Sequence, residues 1–394
     1  DLSGWSLPLV YEVEAYMLGE APDVASSALS GAPARTGGVE GGRAAYAYAI
    51  PYHGTSALLA AAELLGDDVT LKSAGEDFTV GGRGYPAGSF VIPLYRNPDD
   101  LQQRVDAVAE RWGVTAYAID SGLVEEGDDL GARSYRTLRK PRIAVAAGQE
   151  ARGFGEVWHF FDQAYPYFDY VNVDAGRLGR TDLSDYDVLV LGGADLERAL
   201  GESGVESLRE WIRSGGTVVA WERGARFLSA DGAGITRVAL AEDDDEEDED
   251  ETDEDLPAVE ARRTLAERER ESDLERTPGG MYEVALDPDH WMAFGLPERM
   301  AVLKRGDDGF AVTEEGVNVA VFAEESLLSG YARPGLEEEL AKKSWLIVEG
   351  VGRGQAVLFA DNPLYRMFLE GQHQLVLNAV VLGTGFGGGG RFYR

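Results

Sequence analysis

Few side chains in this sequence are suited to catalysis or metal binding. The chain contains no Cys, which excludes thiolate catalysis, disulfide bonds and Cys-ligated metals. Its four histidines are His53, His159, His290 and His373. None of them stands in an H-x-x-E or H-x-x-x-H pair, the spacings that place two zinc ligands on one face. The sequence therefore predicts no metal site and no bound cofactor in this chain.

Two histidines and two glycine-rich segments could in principle form binding sites. His53 follows a predicted strand end, where sites occur, and is a weak ligand-binding candidate without a neighbouring acidic partner. His159 lies on a predicted aromatic helix and is interpreted as a packed or surface residue. The segments GGRG and GRGQ lack the spacing of a phosphate-binding loop, so they are interpreted as turns.

A more informative place is the turn after the predicted buried strand at 217–221. Such a strand-to-helix turn can present a side chain above the carboxyl edge of a parallel sheet. Here the turn holds Glu222, Arg223 and Gly224. A carboxylate beside a cation could do acid–base work, with Glu222 activating water and Arg223 stabilising an oxyanion. The same two residues could equally be a surface ion pair.

The elements that precede this turn predict a small α/β domain over 41–135. Its helices are expected at 55–65, capped by Thr55 or Ser56, and at 98–112, opened by Asn97 and ended by Gly113. Gly81 and Gly82 predict a tight hairpin flanked by strands at 78–80 and 90–92. The remaining apolar segments predict the strands AAYAYAI, VTLK and VTAYAID.

A second unit is predicted over 140–384. Continuous apolar runs alternate with helical patterns, an order typical of a doubly wound, mostly parallel sheet covered by helices on both faces. The fold class is therefore α/β, a small α/β domain followed by a larger one. The predicted strands are IAVAA, YVNV, VLVLGG, TVVAW, VNVAVF, WLIVEG and AVLFA, with a closing helix at 368–382.

The chain is strongly acidic, and the acidic residues are unevenly distributed. Lys and Arg number 36 against 70 Asp and Glu, giving 36 − 70 = −34, which disfavours nucleic acid and anionic membrane surfaces as partners. Thirteen of the fourteen residues at 242–255 are acidic, so an unfolded insertion is predicted at about 240–278; whether it binds cations stays open. The remaining acidity suggests adaptation to high salt. Residues 1–40 are interpreted as a connector and 385–394 as a loose tail.

The elbow segment GGTVVAWERGARFL resembles the strand-elbow-helix of the class I glutamine amidotransferase-like fold. Active members of that family carry Cys at the elbow, often followed by His-Gly. This sequence has Glu222 in the Cys place and Arg223 in the His place. Because a carboxylate cannot replace a thiolate in acyl transfer, the resemblance implies a degenerate elbow without catalytic residues.

A second resemblance covers nearly the whole chain. The segments that carry it are DLSGWSLPLVYEVEAY, IPYHGTSALLAAAELL, FTVGGRGYPAGSFVIP, NPDDLQQRV, AIDSGLVEEGDDLG, LSDYDVLVLGG and GRGQAVLFADNPLYR. Together they resemble the C-terminal region of large secreted bacterial zinc carboxypeptidases of the carboxypeptidase-A-like family, which implies a secreted or periplasmic location. The resemblance also implies that zinc and its ligands lie in an N-terminal peptidase domain upstream of Asp1, which is the expected partner together with a peptide or protein substrate.

Three functions remain open on this basis. The leading one is a non-catalytic accessory region that positions substrate or stabilises the peptidase domain. The second is a small-ligand or peptide-binding module with a pocket at the carboxyl edge of the strands. The third is a carboxylate-based hydrolase that uses Glu222.

Overall fold

The computed structural model describes residues 6–197, 199–241, 279–314 and 316–387. The acidic block at 242–255 and most of the predicted tail lie outside the described residues. Within the described part, no helix has the length and apolarity needed to cross a membrane.

The first domain is a six-stranded sheet covered by two helices. Its strand order is β1-β7-β2-β6-β3-β8, and only β1 and β7 pair in parallel. A separate hairpin, β4-β5, packs beside it. In chain order the elements up to this point are α1 (Leu7–Tyr11), β1 (Gly38–Glu40), β2 (Ala47–Ile50), α2 (Thr55–Gly66), β3 (Lys72–Ala74), β4 (Phe78–Val80), β5 (Arg83–Tyr85), β6 (Phe90–Pro93), α3 (Leu101–Trp112), β7 (Thr115–Ile119) and β8 (Tyr135–Thr137).

The structure confirms the two helices predicted in the first domain, but their N-cap residues differ from those predicted. Gly54, rather than Thr55 or Ser56, is the N-cap of α2. The N-cap of α3 is Asp100, which makes no side-chain cap bond. Asn97, the predicted first residue of this cap, instead exchanges two hydrogen bonds with the Thr70 backbone. Both helices are therefore stabilised mainly by their buried apolar faces and not by side-chain caps.

The turns of this domain follow the glycine positions. Gly113 ends α3 with a φ of +67°, as predicted. Gly81 and Gly82, at φ +64° and +71°, form the predicted tight turn. Their hairpin is closed by β5, whereas the later segment β6 joins the main sheet.

The second domain is built on an eleven-stranded sheet. Its main order is β11-β9-β12-β13-β19-β18-β17-β14-β15, with β10 paired to β12 and β16 to β18. The strands from β11 to β19 in this order are parallel, and those beyond β19 are antiparallel. In chain order the elements are β9 (Ile143–Ala147), β10 (Ala151–Arg152), α4 (Phe154–His159), β11 (Tyr170–Asp174), β12 (Val188–Ala194), α5 (Glu202–Arg213), β13 (Thr217–Trp221), α6 (Glu222–Leu228), β14 (Gly280–Leu286), β15 (Arg299–Lys304), β16 (Phe310–Ala311), β17 (Val317–Gly330), α7 (Leu336–Leu340), β18 (Lys343–Val351), β19 (Gly354–Phe359), α8 (Glu370–Val381) and α9 (Gly383–Phe386).

The inner parallel strands β9, β12, β13 and β19 are buried on both faces, which confirms the predicted α/β fold class. On β13, Val219 and Trp221 belong to one apolar cluster, while Val218 and Ala220 belong to another on the opposite face. Every residue of β12 and β13 is buried. Continuous apolar strands of this kind need helices on both sides of the sheet, as the sequence indicated.

The two domains share one core. Helix α8 of the second domain packs on α2 of the first, and a buried polar network lies between them. The Tyr52 hydroxyl bonds to Asn378 and accepts from Gln374 Nε2 at 3.3 Å. The Asn378 amide also donates to the carbonyls of Met292 and Phe294, at 2.8 and 3.0 Å. This network fixes the domain arrangement because each partner would be left buried and unpaired without it.

The two ends of the described chain pack on the second domain. In the predicted connector, Val10 is buried against Leu303 and Leu369, and the Glu12 carboxylate accepts from the Ala301 N–H of β15 at 2.8 Å. Strand β1, also within 1–40, joins the first sheet. Phe386, within the predicted tail, stacks on Trp291. Ordered structure therefore extends into both predicted terminal segments.

Candidate functional site

The turn from β13 into α6 is a strained elbow. Trp221 is extended, and Glu222 then adopts a φ of +48°, the left-handed region that non-glycine residues rarely occupy. Gly224 makes the turn possible, since a methyl group on it would lie 2.0 Å from the Gly192 carbonyl oxygen. The predicted position of the elbow is thus confirmed, and its first residue is held above the carboxyl edge of the sheet.

The Glu222 carboxylate forms an ion pair with Arg305, which directly follows β15. Arg305 Nη2 donates to Glu222 Oε1 at 2.7 Å, and the two side chains are 40% and 33% exposed. Burial raises the pKa of Glu222, Arg305 opposes that rise, and the nearby carboxylates of Asp361 and Glu156 add to it. The elbow residue is therefore a half-buried carboxylate in an ion pair.

Arg223 does not cooperate with Glu222. Its guanidinium pairs with Asp195 at 2.8 Å and is 55% exposed. The two elbow side chains are therefore held by different partners, and the role of Arg223 at an oxyanion stays a prediction.

Arg305 is itself anchored from two sides. Its guanidinium lies 4.3 Å from the centre of the Tyr365 ring, a cation–π contact. Its backbone N–H donates to Asp361 Oδ1 at 3.0 Å. Asp361 also pairs at 3.1 Å with Lys304, whose side chain is fully buried. Sequence analysis did not identify Lys304, Arg305, Asp361 or Tyr365 as part of this site. Nothing in the local sequence around them indicates that they lie close to the elbow.

A second carboxylate, Glu156, ties α4 to the loop after β19. Its two oxygens accept from the Asn362 amide at 2.8 Å and from the Arg366 N–H at 3.0 Å. Arg366 is in the left-handed region at φ +50°. These bonds fix the loop that carries Tyr365 next to the elbow.

The carboxyl end of β12 pairs with the short strand β10. Arg152 pairs with Gly193 in antiparallel register. A methyl group on Gly193 would meet the Arg152 carbonyl and Glu222 Oε2, each at 3.4 Å. The Trp221 indole nitrogen would lie at 3.6 Å, so the space beside the elbow is narrow and is lined by two oxygen atoms and one N–H donor.

The histidines lie apart from the elbow contacts. His53 is exposed, at the junction of the two domains, and His159 is exposed at the end of α4. His290 and His373 are buried, and burial lowers their pKa values to about 3 and about 4. His290 accepts from the Met292 N–H, and His373 is bonded to the Tyr165 hydroxyl. In the described part of the chain, no group of three His, Asp or Glu side chains could hold a metal ion.

Two grooves lie away from the elbow. One, of about 710 Å³, is at the amino edge of β12 and β13 and is lined by Arg142, Asp187 and Trp211 among others. The other, of about 600 Å³, lies near α5 and is lined by Val205 and Phe227 among others. Neither includes the carboxyl-edge residues where a ligand pocket was expected.

No protein-family model matches the sequence, and no curated protein does. Among solved structures, the chain is similar to a protein described as a GMP synthase subunit from Thermoplasma acidophilum. The identity is 10%, 61% of this chain and 92% of that chain are covered, and the TM-score is 0.37. A glutamine amidotransferase from Thermotoga maritima is 12% identical over 62% and 95% of the two chains, with a TM-score of 0.34. A β-galactosidase from Bacillus circulans is 14% identical over 62% and 31%, with a TM-score of 0.36. These likenesses assign neither a family nor an activity.

Proposed function

We propose that this chain is a non-catalytic accessory region of a secreted zinc metallocarboxypeptidase. In that role it positions the peptide substrate or stabilises the peptidase domain, which supplies the zinc. The observation that carries the non-catalytic part is the Glu222–Arg305 ion pair at the elbow. The link to a carboxypeptidase rests on the sequence segments that resemble that family.

The ion pair argues against nucleophilic use of the elbow. A nucleophile in this position must be free to attack, and Glu222 Oε1 is bonded to Arg305 at 2.7 Å. This ion pair favours a structural role for the carboxylate.

The shared core of the two domains supports a role as a rigid platform. Tyr52, Gln374 and Asn378 lock α8 against the first domain. A rigid unit can hold a neighbouring domain or a substrate in one orientation without doing chemistry itself.

The test compares the purified chain with the chain mixed with the zinc peptidase domain of its parent protein. Release of the C-terminal amino acid from a peptide is measured with and without zinc and a chelator. We expect no release by the chain alone, and a lower KM or a higher melting temperature of the peptidase domain when both are present. Chelator-sensitive release by the chain alone would overturn the non-catalytic part. Absence of any binding or effect on the peptidase domain would overturn the accessory part.

A carboxylate hydrolase is the second candidate. It is favoured by the strained φ of Glu222 and by the raised pKa of its carboxyl group, both common at functional sites. Glu222→Gln separates the two accounts, because it keeps the size of the side chain and removes the base. An accessory role leaves the activity of the parent enzyme intact, whereas a hydrolase that uses Glu222 loses turnover while remaining folded.

A small-ligand or peptide-binding module is the third candidate, and it rests on the two surface grooves. The grooves at the amino edge of β12 and near α5 offer concave surfaces with polar and aromatic side chains. Soaking crystals with small peptides tests it, and a peptide bound in either groove, with the affinity confirmed in solution, would favour this function.

A further inference from the structure

Two side chains cover the outer edge of the eleven-stranded sheet at Ala301. β15 is the last strand in the sheet order, so one of its sides has no neighbouring strand among the described residues. On that side the Glu12 carboxyl accepts from the Ala301 N–H at 2.8 Å, and Gln372 Nε2 donates to the Ala301 carbonyl at 3.4 Å. Uncovered N–H and C=O groups on an edge strand can pair with other chains. Glu12 and Gln372 prevent this at Ala301.

The side chains of Glu12 and Gln372 approach Ala301 from the same direction. The N–H and C=O of one residue in an extended strand point to the same side, so their two partners lie next to each other. A methyl group on Gly371, the residue before Gln372, would lie 2.1 Å from Glu12 Cγ. Glu12 therefore packs directly against the first turn of α8.

Gln372 has an acceptor that the described residues leave without a donor. Its side chain is 1% exposed, and Oε1 has no hydrogen-bond partner in the described part of the chain. Turning the amide over would not help, because it would place Oε1 against the Ala301 carbonyl oxygen. A buried acceptor without a donor is costly. A neighbouring group that carries a hydrogen would remove this cost.

We propose that Glu12 supplies this hydrogen as a neutral carboxylic acid. One carboxyl oxygen accepts from the Ala301 N–H, and the hydroxyl of the other oxygen donates to Gln372 Oε1. Loss of the proton leaves two acceptors facing each other, and residues 6–13 then leave the edge of β15. The segment is thus a strap that docks at low pH and is released at high pH. This switch is independent of the proposed accessory function.

The surroundings of Glu12 favour the neutral carboxyl group. Burial raises its pKa from 4.5 to about 7, and only the Ala301 N–H opposes that rise. On the same segment, Glu14 is bonded to Tyr16. None of the titratable or charged side chains on the packed elements contributes to the shift; they are Glu283, Arg299, Lys304, Tyr365, Glu370 and His373.

The strap is held by few contacts, so a single proton can decide whether it docks. Val10 is the only buried residue of α1. Glu12 ends this helix at a φ of +50°, in the left-handed region that non-glycine residues adopt only when their surroundings hold them there. The bonds of the Glu12 side chain provide such a hold, and it is lost when the carboxyl group ionises.

The size of the effect follows from the pKa of Glu12. The difference between the docked and free values, 7 − 4.5 = 2.5, lowers the docking equilibrium constant by up to about 300-fold as pH rises through both values. Between pH 5 and pH 8 the same two values give a decrease of about 70-fold. Docking is favoured below the pKa of the free segment because the raised pKa belongs to the docked state.

Hydrogen exchange followed by mass spectrometry tests the release of the strap. Rates for residues 6–13 are measured at pH 5 and pH 8 and divided by the intrinsic rate at each pH. We expect the protection of this segment to fall by up to about 70-fold between the two. Equal protection at both pH values, or no protection at either, would overturn the proposal.

Two substitutions on the strap separate the proton from other effects of pH. Glu12→Gln should keep the segment protected at both pH values, because its amide can donate to Gln372 Oε1 and carries no charge. The matched control is Glu14→Gln, two residues away and exposed, which should keep the pH dependence of the parent chain. A strap that is released equally in Glu12→Gln would exclude Glu12 as the switch.

Gln372→Met tests the acceptor, because it keeps the length of the side chain and removes Oε1. We expect protection to fall more at pH 5 than at pH 8, since only the neutral Glu12 uses this oxygen. A purely structural role of Gln372 would instead lower protection by the same factor at both pH values. A crystal structure of the parent chain at pH 5 decides the geometry even if this variant fails to fold. It should show Glu12 Oε2 within about 2.5–3.0 Å of Gln372 Oε1, and a separation too long for a hydrogen bond would overturn the proposal.

Discussion

Replacing Gly224 by Ala should strongly destabilise the second domain. The new methyl group would lie 2.0 Å from the Gly192 carbonyl oxygen, 3.1 Å from its carbon and 3.4 Å from the Ala194 nitrogen. Because a Cβ approaches other heavy atoms no closer than 3.0 Å, α6 or β12 must move by about 1 Å (3.0 − 2.0). All of β12 is buried, so the strand cannot shift without disturbing packing on both faces of the sheet.

Overpacking of this kind typically costs 1–3 kcal/mol and sometimes more. Since the obstacle is backbone and not a flexible side chain, we expect a loss of about 3 kcal/mol, at the upper end of that range. With ~2–4 °C per kcal/mol for a domain of this size, the melting temperature should fall by roughly 6–12 °C. Calorimetry and urea unfolding followed by circular dichroism measure the change.

Gly155→Ala is the matched control for this substitution. Gly155 is exposed in α4, and a methyl group there meets no atom within 4 Å. The higher helix propensity of Ala should stabilise this variant by up to about 1 kcal/mol. Equal melting temperatures for the two variants, or a Gly224→Ala protein as stable as the parent, would refute the close elbow packing.

Three further predictions concern other parts of the chain. Asn378→Ala should lower the free energy of unfolding by about 2–4 kcal/mol, because it leaves several buried groups unpaired. The control, Asn172→Ala, lies at an exposed position of the edge strand β11 and should change this free energy little. Urea titrations measure both. Burial raises the pKa of Glu12 to about 7 from 4.5, so the folded state binds a proton more tightly than the unfolded state. Stability should therefore fall as pH rises from 4.5 to about 7, by at most about 3 kcal/mol, and Glu12→Gln should flatten this dependence; an unchanged pH profile would contradict it. Deleting 242–255 should leave the melting temperature unchanged or raise it as charge repulsion falls, and a large loss in moderate salt would show the block to be structural.

Local sequence patterns were sufficient to predict the parallel strands of the second domain. The runs that became β9, β12 and β13 are continuously apolar, a pattern that arises when both faces of a strand are buried. The elbow at Glu222 followed from the same reasoning, because a glycine two residues after the first elbow residue allows the sharp turn into α6. These features depend on neighbours in sequence, so the sequence alone determines them.

The partners of the elbow were decided only by the tertiary structure. β15 is the last strand in the sheet order, five places from β13, yet Arg305 just beyond it reaches Glu222. It does so because the antiparallel half of the sheet curls until the end of β15 lies beside Asp361 at the end of β19. Strand pairing and sheet curvature bring together charges that are more than 80 residues apart, and no local pattern records which distant cation will neutralise a given carboxylate.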